Sequence, residues 1–379
     1  MFWPQPKKYR YMNLRILAAV GSCALLMACG DKEKKTSLKE TIQEEPKDFA
    51  LLVEQPAEIA APEGMVWVSG VQFTQGAQEG DSYALPREKP AHPVAVDGFF
   101  IDKTEVTNAQ FKKFVEETGY ETIAERAINW EEMKKQLPPN TPKPHDSILQ
   151  PGSLIFRREL EKVNNLVDYS QWWKWQTGAN WRHPEGPDSS IEGKDDFPVV
   201  HVAYEDALAY CKWAGRRLPT EAEWEAAAHG KLNGGIYTWG DDESKLNDEA
   251  NTWQGDFPVN NDSQDGHSHL APVKSYPPNS LGIYDMSGNV WEYTQDWFDV
   301  NYYQVAAGEG LTKNPKGADR SYNPDMPYQQ EKVIKGGSFL CNASYCASYR
   351  ISARMGNSMD SATDHVGFRT VVSAKDLTE

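Results

Sequence analysis

KGGSFLCNASYCASYRISARMGNSMDSATDHVGFR, Lys335 to Arg369, carries two of the chain's five cysteines, Cys341 and Cys346, in a run dense with Gly, Ser, Tyr and Arg. Thiolate is the nucleophile and the soft-metal ligand of proteins, and Arg350 and Arg354 nearby are expected to favour its ionisation. The pair is a candidate redox or metal centre. A local disulfide is the competing reading if the chain works in an oxidising compartment.

The rest of the chain bounds these readings. Its 379 residues are 39% hydrophobic and 11% aromatic, with 13 Trp, which is ample material for a core, and the length suits two average domains or one large loop-rich domain. The 28 Gly and 24 Pro point to many turns and few long helices. A formal charge of −16 with no Lys/Arg block excludes a nucleic-acid binder, while acidic oxygen ligands for hard cations abound.

Near the N-terminus, from Met12, a short basic region with Arg15 precedes an apolar run, Ile16 to Met27, too short for a permanent membrane span. Leu26-Met27-Ala28-Cys29 ends it and resembles the lipobox of bacterial lipoproteins. The resemblance implies a signal peptide over residues 1–28 and lipidation of Cys29, with residues 1–11 as an upstream start. Loss of Lys7, Lys8, Arg10 and Arg15 with that segment takes the charge from −16 to −20. Residues 29–61, rich in Lys and Glu, are expected to be a disordered tether. Gly30 after Cys29 lacks the inner-membrane retention signal, so an exported outer-membrane lipoprotein is expected, on the periplasmic or the cell-surface face.

A domain is expected over 62–379. Met65 to Phe73 and Val94 to Ile101 have strand character. Thr107 with Gln110 forms a capping box ahead of Phe111, Phe114 and Val115, and Gly119 ends that helix. A second helix spans about Tyr204 to Ala214, stops at Gly215 and turns Cys211 inward as a small core residue. Thr220 and Glu223 cap a third, which carries Trp224 inward. No internal repeat is present, which disfavours a solenoid or a propeller.

The motifs recur in one order. WWKWQTGANWRHPEGPDSSI (Trp172 to Ile191), FPVVHVAYEDALAYCKWAGRRLPTEAEWEAAAHG (Phe197 to Gly230), TWGDD (Thr238 to Asp242), NTWQGDFPVNNDSQDGH (Asn251 to His267), LGIYDMSGNVWEYTQDW (Leu281 to Trp297) and the KGGSF…GFR tail resemble the formylglycine-generating enzyme, or sulfatase-modifying factor, family, here in a lipoprotein member. RLPTEAEWE, GNVWE and GGSF…GFR occur across the whole superfamily, including members that do no chemistry. GANWRHPEGPDSSI and the cysteine pair are typical of those that oxidise cysteine. The eight histidines show no paired helical motif of the kind that iron-dependent sulfoxide synthases of the superfamily use.

The resemblance implies an α+β, C-type-lectin-like fold with little regular secondary structure. It also implies an oxidoreductase that uses O2 and Cu(I) to convert the cysteine of Cys-x-Pro-x-Arg in an unfolded sulfatase polypeptide to Cα-formylglycine, through loss of hydrogen from the cysteine β-carbon. Position by position, Cys341 and Cys346 match the copper ligands, Ser338 a serine near the oxygen pocket and Trp291 a tryptophan lining it. Trp181 and Arg182 match a wall of the substrate groove, and His365 a further substrate-binding position. Asn251, Thr252, Asp265 and His267 match one calcium site. Asp285, Gly288, Val290 and Glu292 match a second, Asp285 replacing an Asn common in relatives; Ca2+ takes six to eight such oxygens. Cys211 matches one half of a vertebrate disulfide whose partner position holds Thr370, and Ala228 and Ile351 replace another pair, so no structural disulfide is expected. A monomer is expected, with membrane contact through the lipid anchor only. The alternative is a non-catalytic lipoprotein that uses this fold as a binding or structural module in secretion or gliding motility. The cysteine pair and GANWRHPEGPD favour the enzyme; the lipobox and tether favour the module.

Overall fold

The computed structural model describes residues 50–232 and 234–378. The signal peptide, Cys29 and the tether as far as residue 49 lie outside the described residues. In chain order the strands are β1 (Met65–Val68), β2 (Val71–Gln75), β3 (His92–Val96), β4 (Phe99–Asp102), β5 (Gly152–Phe156), β6 (Trp173–Thr177), β7 (Trp291–Trp297), β8 (Thr312–Lys313), β9 (Glu331–Lys335), β10 (Met355–Ser358), β11 (Val366–Gly367) and β12 (Val371–Ser373). The α-helices are α1 (Asn108–Thr118), α2 (Trp130–Met133), α3 (Tyr204–Ala214), α4 (Glu221–His229), α5 (Leu246–Glu249) and α6 (Tyr302–Glu309). Short elements joined by long loops make an α+β fold with little regular secondary structure. Among the described residues no helix is long and apolar enough to cross a membrane.

The long helices form where their caps dictate. Thr107 Oγ1 accepts from Gln110 N while Gln110 Oε1 accepts from Thr107 N, and Gly119 closes α1 in the left-handed region. Thr220 and Glu223 repeat the box at α4, and Gly215 closes α3. Phe111, Phe114 and Val115 of α1 meet Tyr210 and Cys211 of α3 in the largest core cluster, which also holds Trp291 and Cys341. Trp224 is turned wholly inward in a second cluster, against Val94, Val96 and Ile283.

The sheets decide where the candidate site lies. A four-stranded sheet runs in the order β10-β9-β7-β11. In it Glu292 of β7 pairs with Lys335, the last residue of β9, and Trp291 pairs with Val366 of β11. The cysteine loop that leaves β9, Trp291 at the start of β7 and His365 just ahead of β11 therefore converge on one end of this sheet. The β5-β6 hairpin, with Phe156 opposite Trp173, brings the aromatic segment 172–175 to the same end, and Trp173 lies 4.8 Å from the ring of His365.

Order begins earlier than the composition suggests. Leu52 N donates to Asp97 Oδ1, Gly98 N donates to the Leu52 carbonyl, and Lys313 Nζ donates to the Ala50 carbonyl. Residues 50–61 thus differ from the expected disordered tether, because main-chain hydrogen bonding to a neighbouring turn needs no apolar side chain.

Candidate functional site

Gly336 and Gly337 both take positive φ, +89° and +73°, as the chain leaves β9. A Cβ on Gly337 would lie 2.8 Å from the carbonyl carbon of Ser348, so only glycine lets the outgoing and returning limbs of the cysteine loop meet. Between them the loop closes on local hydrogen bonds: Cys341 N to the Ser338 carbonyl, Cys346 N to the Asn342 carbonyl and Ser348 N to the Cys346 carbonyl. The two sulfurs stand 2.9 Å apart as free thiols; a disulfide would need about 2.05 Å. Ser338 N points at Cys341 Sγ at 3.4 Å, and Ser338 Oγ accepts from Leu340 N.

The two thiols are unequal. Cys341 is buried, and burial followed by the neighbouring sulfur pushes its ionisation well up. Cys346 is part-exposed and is pushed down to about 7, first by the hydrogen bond from Cys341, with Ser348 and the Arg87 charge adding to it. The pair therefore shares one proton near neutral pH, with the negative charge on Cys346. Alkylation of Cys346 by iodoacetamide is expected to rise through an inflection near pH 7 rather than at an ordinary thiol's 9; a pH–rate profile checks this, and an inflection near 9 refutes it. Cys211, buried on α3 and pushed far up by that burial, stays silent in the same experiment.

The cations that stabilise this thiolate are not those read from the sequence. Arg350 donates to Asp81 Oδ2 (2.5 Å) and Glu88 Oε2 (2.7 Å), and Arg354 donates to both Glu221 oxygens (2.7 and 2.9 Å). Both guanidiniums are committed to buried carboxylates, which corrects the expectation that they activate the cysteines. Arg87, on the turn Pro86–Glu88, supplies the charge that acts on Cys346.

Trp291 is buried in the same cluster as Cys341 and Tyr349, and its amide donates to the His365 carbonyl. His365 is mostly buried and pushed down to about 3 by burial and by His201, so it is a neutral imidazole. Beyond Cys346, Tyr345 stacks on Phe257 at 4.8 Å and meets Trp172 edge-on at 5.4 Å. Trp181 lies in the core against Phe111, 2% exposed, so it lends a groove only its edge. Arg182 lies over the Trp181 ring at 4.3 Å and pairs with Glu125. Trp181, with Phe339, His269 and Asp364, borders a cleft of about 190 Å3 whose lining includes neither Arg182 nor the cysteines.

The two expected cation sites assemble unequally. At the first, Asp265 Oδ2 accepts from Thr252 N (2.8 Å) and Gln254 Nε2 (2.9 Å), and Asp265 Oδ1 accepts from His267 N (3.0 Å). Asn251 Oδ1 is shut from water and has no partner, as an oxygen awaiting a cation would be. At the second, Gly288 has φ +79°, and a Cβ there would strike the Asn251 carbonyl at 2.2 Å, so the two sites share one backbone junction. Glu292 is already engaged by Arg369 (both 2.6 Å) and Trp224 Nε1 (2.8 Å). Asp285 is pushed up to about 6 by burial and faces Glu105, which is pushed well up by burial and by Asp285. Glu105 Oε2 is buried without a partner. The sequence reading missed Glu105, whose only signal is an acid beside the Thr107 cap; an oxygen-loving cation between these carboxyls would replace the proton they otherwise keep.

The sulfatase-modifying factor enzyme 1-like domain matches residues 49–374. A formylglycine-generating enzyme of Bos taurus is 41% identical over 309 residues, 81% of this chain and 74% of that protein. One of Thermomonospora curvata is 39% identical over 323 residues, 85% of this chain and 97% of that one. An inactive C-alpha-formylglycine-generating enzyme 2 of Mus musculus is 38% identical over 317 residues, 82% and 86% of the two chains. The chain belongs to the sulfatase-modifying factor enzyme 1-like family, that of the formylglycine-generating enzymes.

Proposed function

We propose that this protein oxidises the cysteine of a Cys-x-Pro-x-Arg segment in an unfolded sulfatase to Cα-formylglycine, with O2 as oxidant. The observation that carries the reading is the pair of free thiols 2.9 Å apart sharing one proton. Overall identity does not separate the two kinds of relative, 41% to a formylglycine-generating enzyme and 38% to an inactive one. Cys341 and Cys346 would hold Cu(I), since both donors are soft and stand 2.9 Å apart. Copper bound there would supply a soft Lewis acid for the client thiolate and one-electron chemistry with O2.

The chain's own residues do the rest. Cys346, part-exposed and ionised near pH 7, is the sulfur that an incoming client meets first, while buried Cys341 keeps the shared proton. Trp291 and Ser338, both buried beside Cys341, wall the centre from water. Tyr345, backed by buried Phe257 and Trp172, and part-exposed Trp173 offer aromatic surface to an extended peptide, with neutral His365 behind them and Arg182 and the Trp181 edge further along. Calcium is assigned to Asn251, Thr252, Asp265 and His267, and to Asp285, Gly288, Val290 and Glu292 with Glu105 added, as a structural cation. Lipidation at Cys29 and export to the outer membrane would place the enzyme where sulfatases emerge unfolded.

Conversion turns the thiol-bearing methylene of the client cysteine into an aldehyde. One O2, with two electrons and two protons from a thiol reductant, leaves one hydrogen sulfide and one water. Mass spectrometry of a Cys-x-Pro-x-Arg peptide kept in air with the protein, Cu(I) and a thiol tests it, and a loss of about 18 Da is expected. An unchanged peptide with folded, copper-loaded protein would sink the oxidase and favour the binding module.

A further inference from the structure

The cysteine turn is splinted to a distant segment. Asn342, between the two cysteines, donates from Nδ2 to the carbonyls of Trp253 (3.0 Å) and Gly255 (3.3 Å). Its Oδ1 accepts from Ser344 N (2.9 Å) and Ser344 Oγ (2.6 Å), and its carbonyl accepts from Tyr345 N (3.0 Å) and Cys346 N (2.7 Å). Trp253 N returns a hydrogen bond to the Cys341 carbonyl at 3.0 Å. Residues 253–255 and 341–342 are thus joined by the main chain at Cys341 and by the side chain of Asn342.

That segment is continuous with the loop 251–267. Thr252 N and Gln254 Nε2 both end on Asp265 Oδ2, and Gln254 Nε2 also reaches the Thr252 carbonyl at 2.6 Å. A second route starts three residues before Asn342: Phe339 N donates to the Asn289 carbonyl and Asn289 N to the Asn251 carbonyl, each at 2.9 Å. Both routes from the sulfurs arrive at Asn251 and Thr252, where the side-chain oxygen of Asn251, a residue 1% exposed, is left without a partner. Gly255, at φ +91°, has the Asn260 carbonyl and Asp262 within 2.9 Å of where a Cβ would sit, so the loop packs hard against the segment Asn342 holds.

We propose that Asn342 is the positioning residue of the thiol pair and couples it to the cation state of the loop 251–267. A divalent cation on the oxygens of Asn251, Thr252 and Asp265 orders residues 252–255; through Asn342 that order fixes the turn carrying Cys341 and Cys346 and raises the pair's affinity for a soft monovalent metal. The inference rests on the copper and calcium reading above. Its physical basis is that ordering achieved by one ligand need not be achieved again by the second. The coupling is reciprocal, so copper tightens calcium by the same factor that calcium tightens copper.

The test measures binding, not turnover. Cu(I) affinity is read by competition with a chromophoric Cu(I) chelator, with and without saturating calcium, and calcium affinity by calorimetry with and without Cu(I). In the unaltered protein each ligand is expected to tighten the other about tenfold, and in Asn342→Ala the factor falls below about twofold in both directions. Ser344→Ala removes only a partner of Asn342 Oδ1 and keeps the tenfold coupling. Equal coupling in Asn342→Ala and the unaltered protein, or its loss in Ser344→Ala to the same extent, overturns the proposal while leaving both metal assignments standing. Absence of calcium heat or of Cu(I) retention in the unaltered protein overturns the metal assignments, and this proposal with them.

Discussion

Cys341→Ser and Cys346→Ser are each expected to lower the conversion of a Cys-x-Pro-x-Arg peptide more than about a thousandfold, equivalent to about 4 kcal/mol of lost transition-state stabilisation. The hydroxyl is nearly isosteric with the thiol but is a hard, weakly acidic donor, so it neither ionises near pH 7 nor holds a soft metal. Both variants should keep the fold, since the loop is closed by main-chain hydrogen bonds and by Gly337, not by sulfur. Single-turnover mass spectrometry with a circular-dichroism melt alongside checks this. Retention of a tenth of the activity in either variant would show that the pair is not the reacting centre. Cys341→Ala, which unlike the serine variant leaves no donor, removes the hydrogen bond that depresses Cys346, whose alkylation profile moves toward higher pH.

Arg354→Met is expected to destabilise the domain by about 3–5 kcal/mol, read as a lower urea midpoint with an unchanged slope. Arg354 is buried, bidentate on Glu221, and lies 4.5 Å over the ring of Tyr303, whose hydroxyl donates to Glu221 and Glu225. Lys335 Nζ, also buried, lies 2.8 Å from Glu225 and 3.7 Å from Glu221. Removing the guanidinium leaves Glu221 in the core with a lysine that serves two carboxylates. Adding Glu221→Gln should restore part of the loss, because much of it is the penalty of an unpaired buried charge. A change under about 1 kcal/mol in the single variant would mean that water reaches the network.

The helices were legible because their signals are local. Thr107 with Gln110, Thr220 with Glu223, and Gly119 and Gly215 state where helices start and stop within a few residues of chain. The inward side of α3, and with it the buried thiol of Cys211, follows from helical periodicity. The motif order from Trp172 to Arg369 likewise identified the family, to which the match over residues 49–374 assigns the chain. The same local reading misassigned Arg350 and Arg354, which are near the cysteines in sequence but are drawn to Asp81, Glu88 and Glu221, all far from them along the chain.

The sequence alone therefore determined the main helix boundaries, the inward faces, the family and the identity of the cysteine pair, since each depends on residues close in the chain or on a recurring pattern. The tertiary structure alone decided that the sulfurs stand 2.9 Å apart with the charge on Cys346, that Arg87 is the cation acting on it, that Glu105 joins Asp285, and that Asn342 ties the cysteine turn to Trp253. Apart from the first, these are contacts between segments widely separated in the chain. A buried charge or hydrogen-bonding group takes whichever partner packing delivers, and no spacing along the chain records that choice.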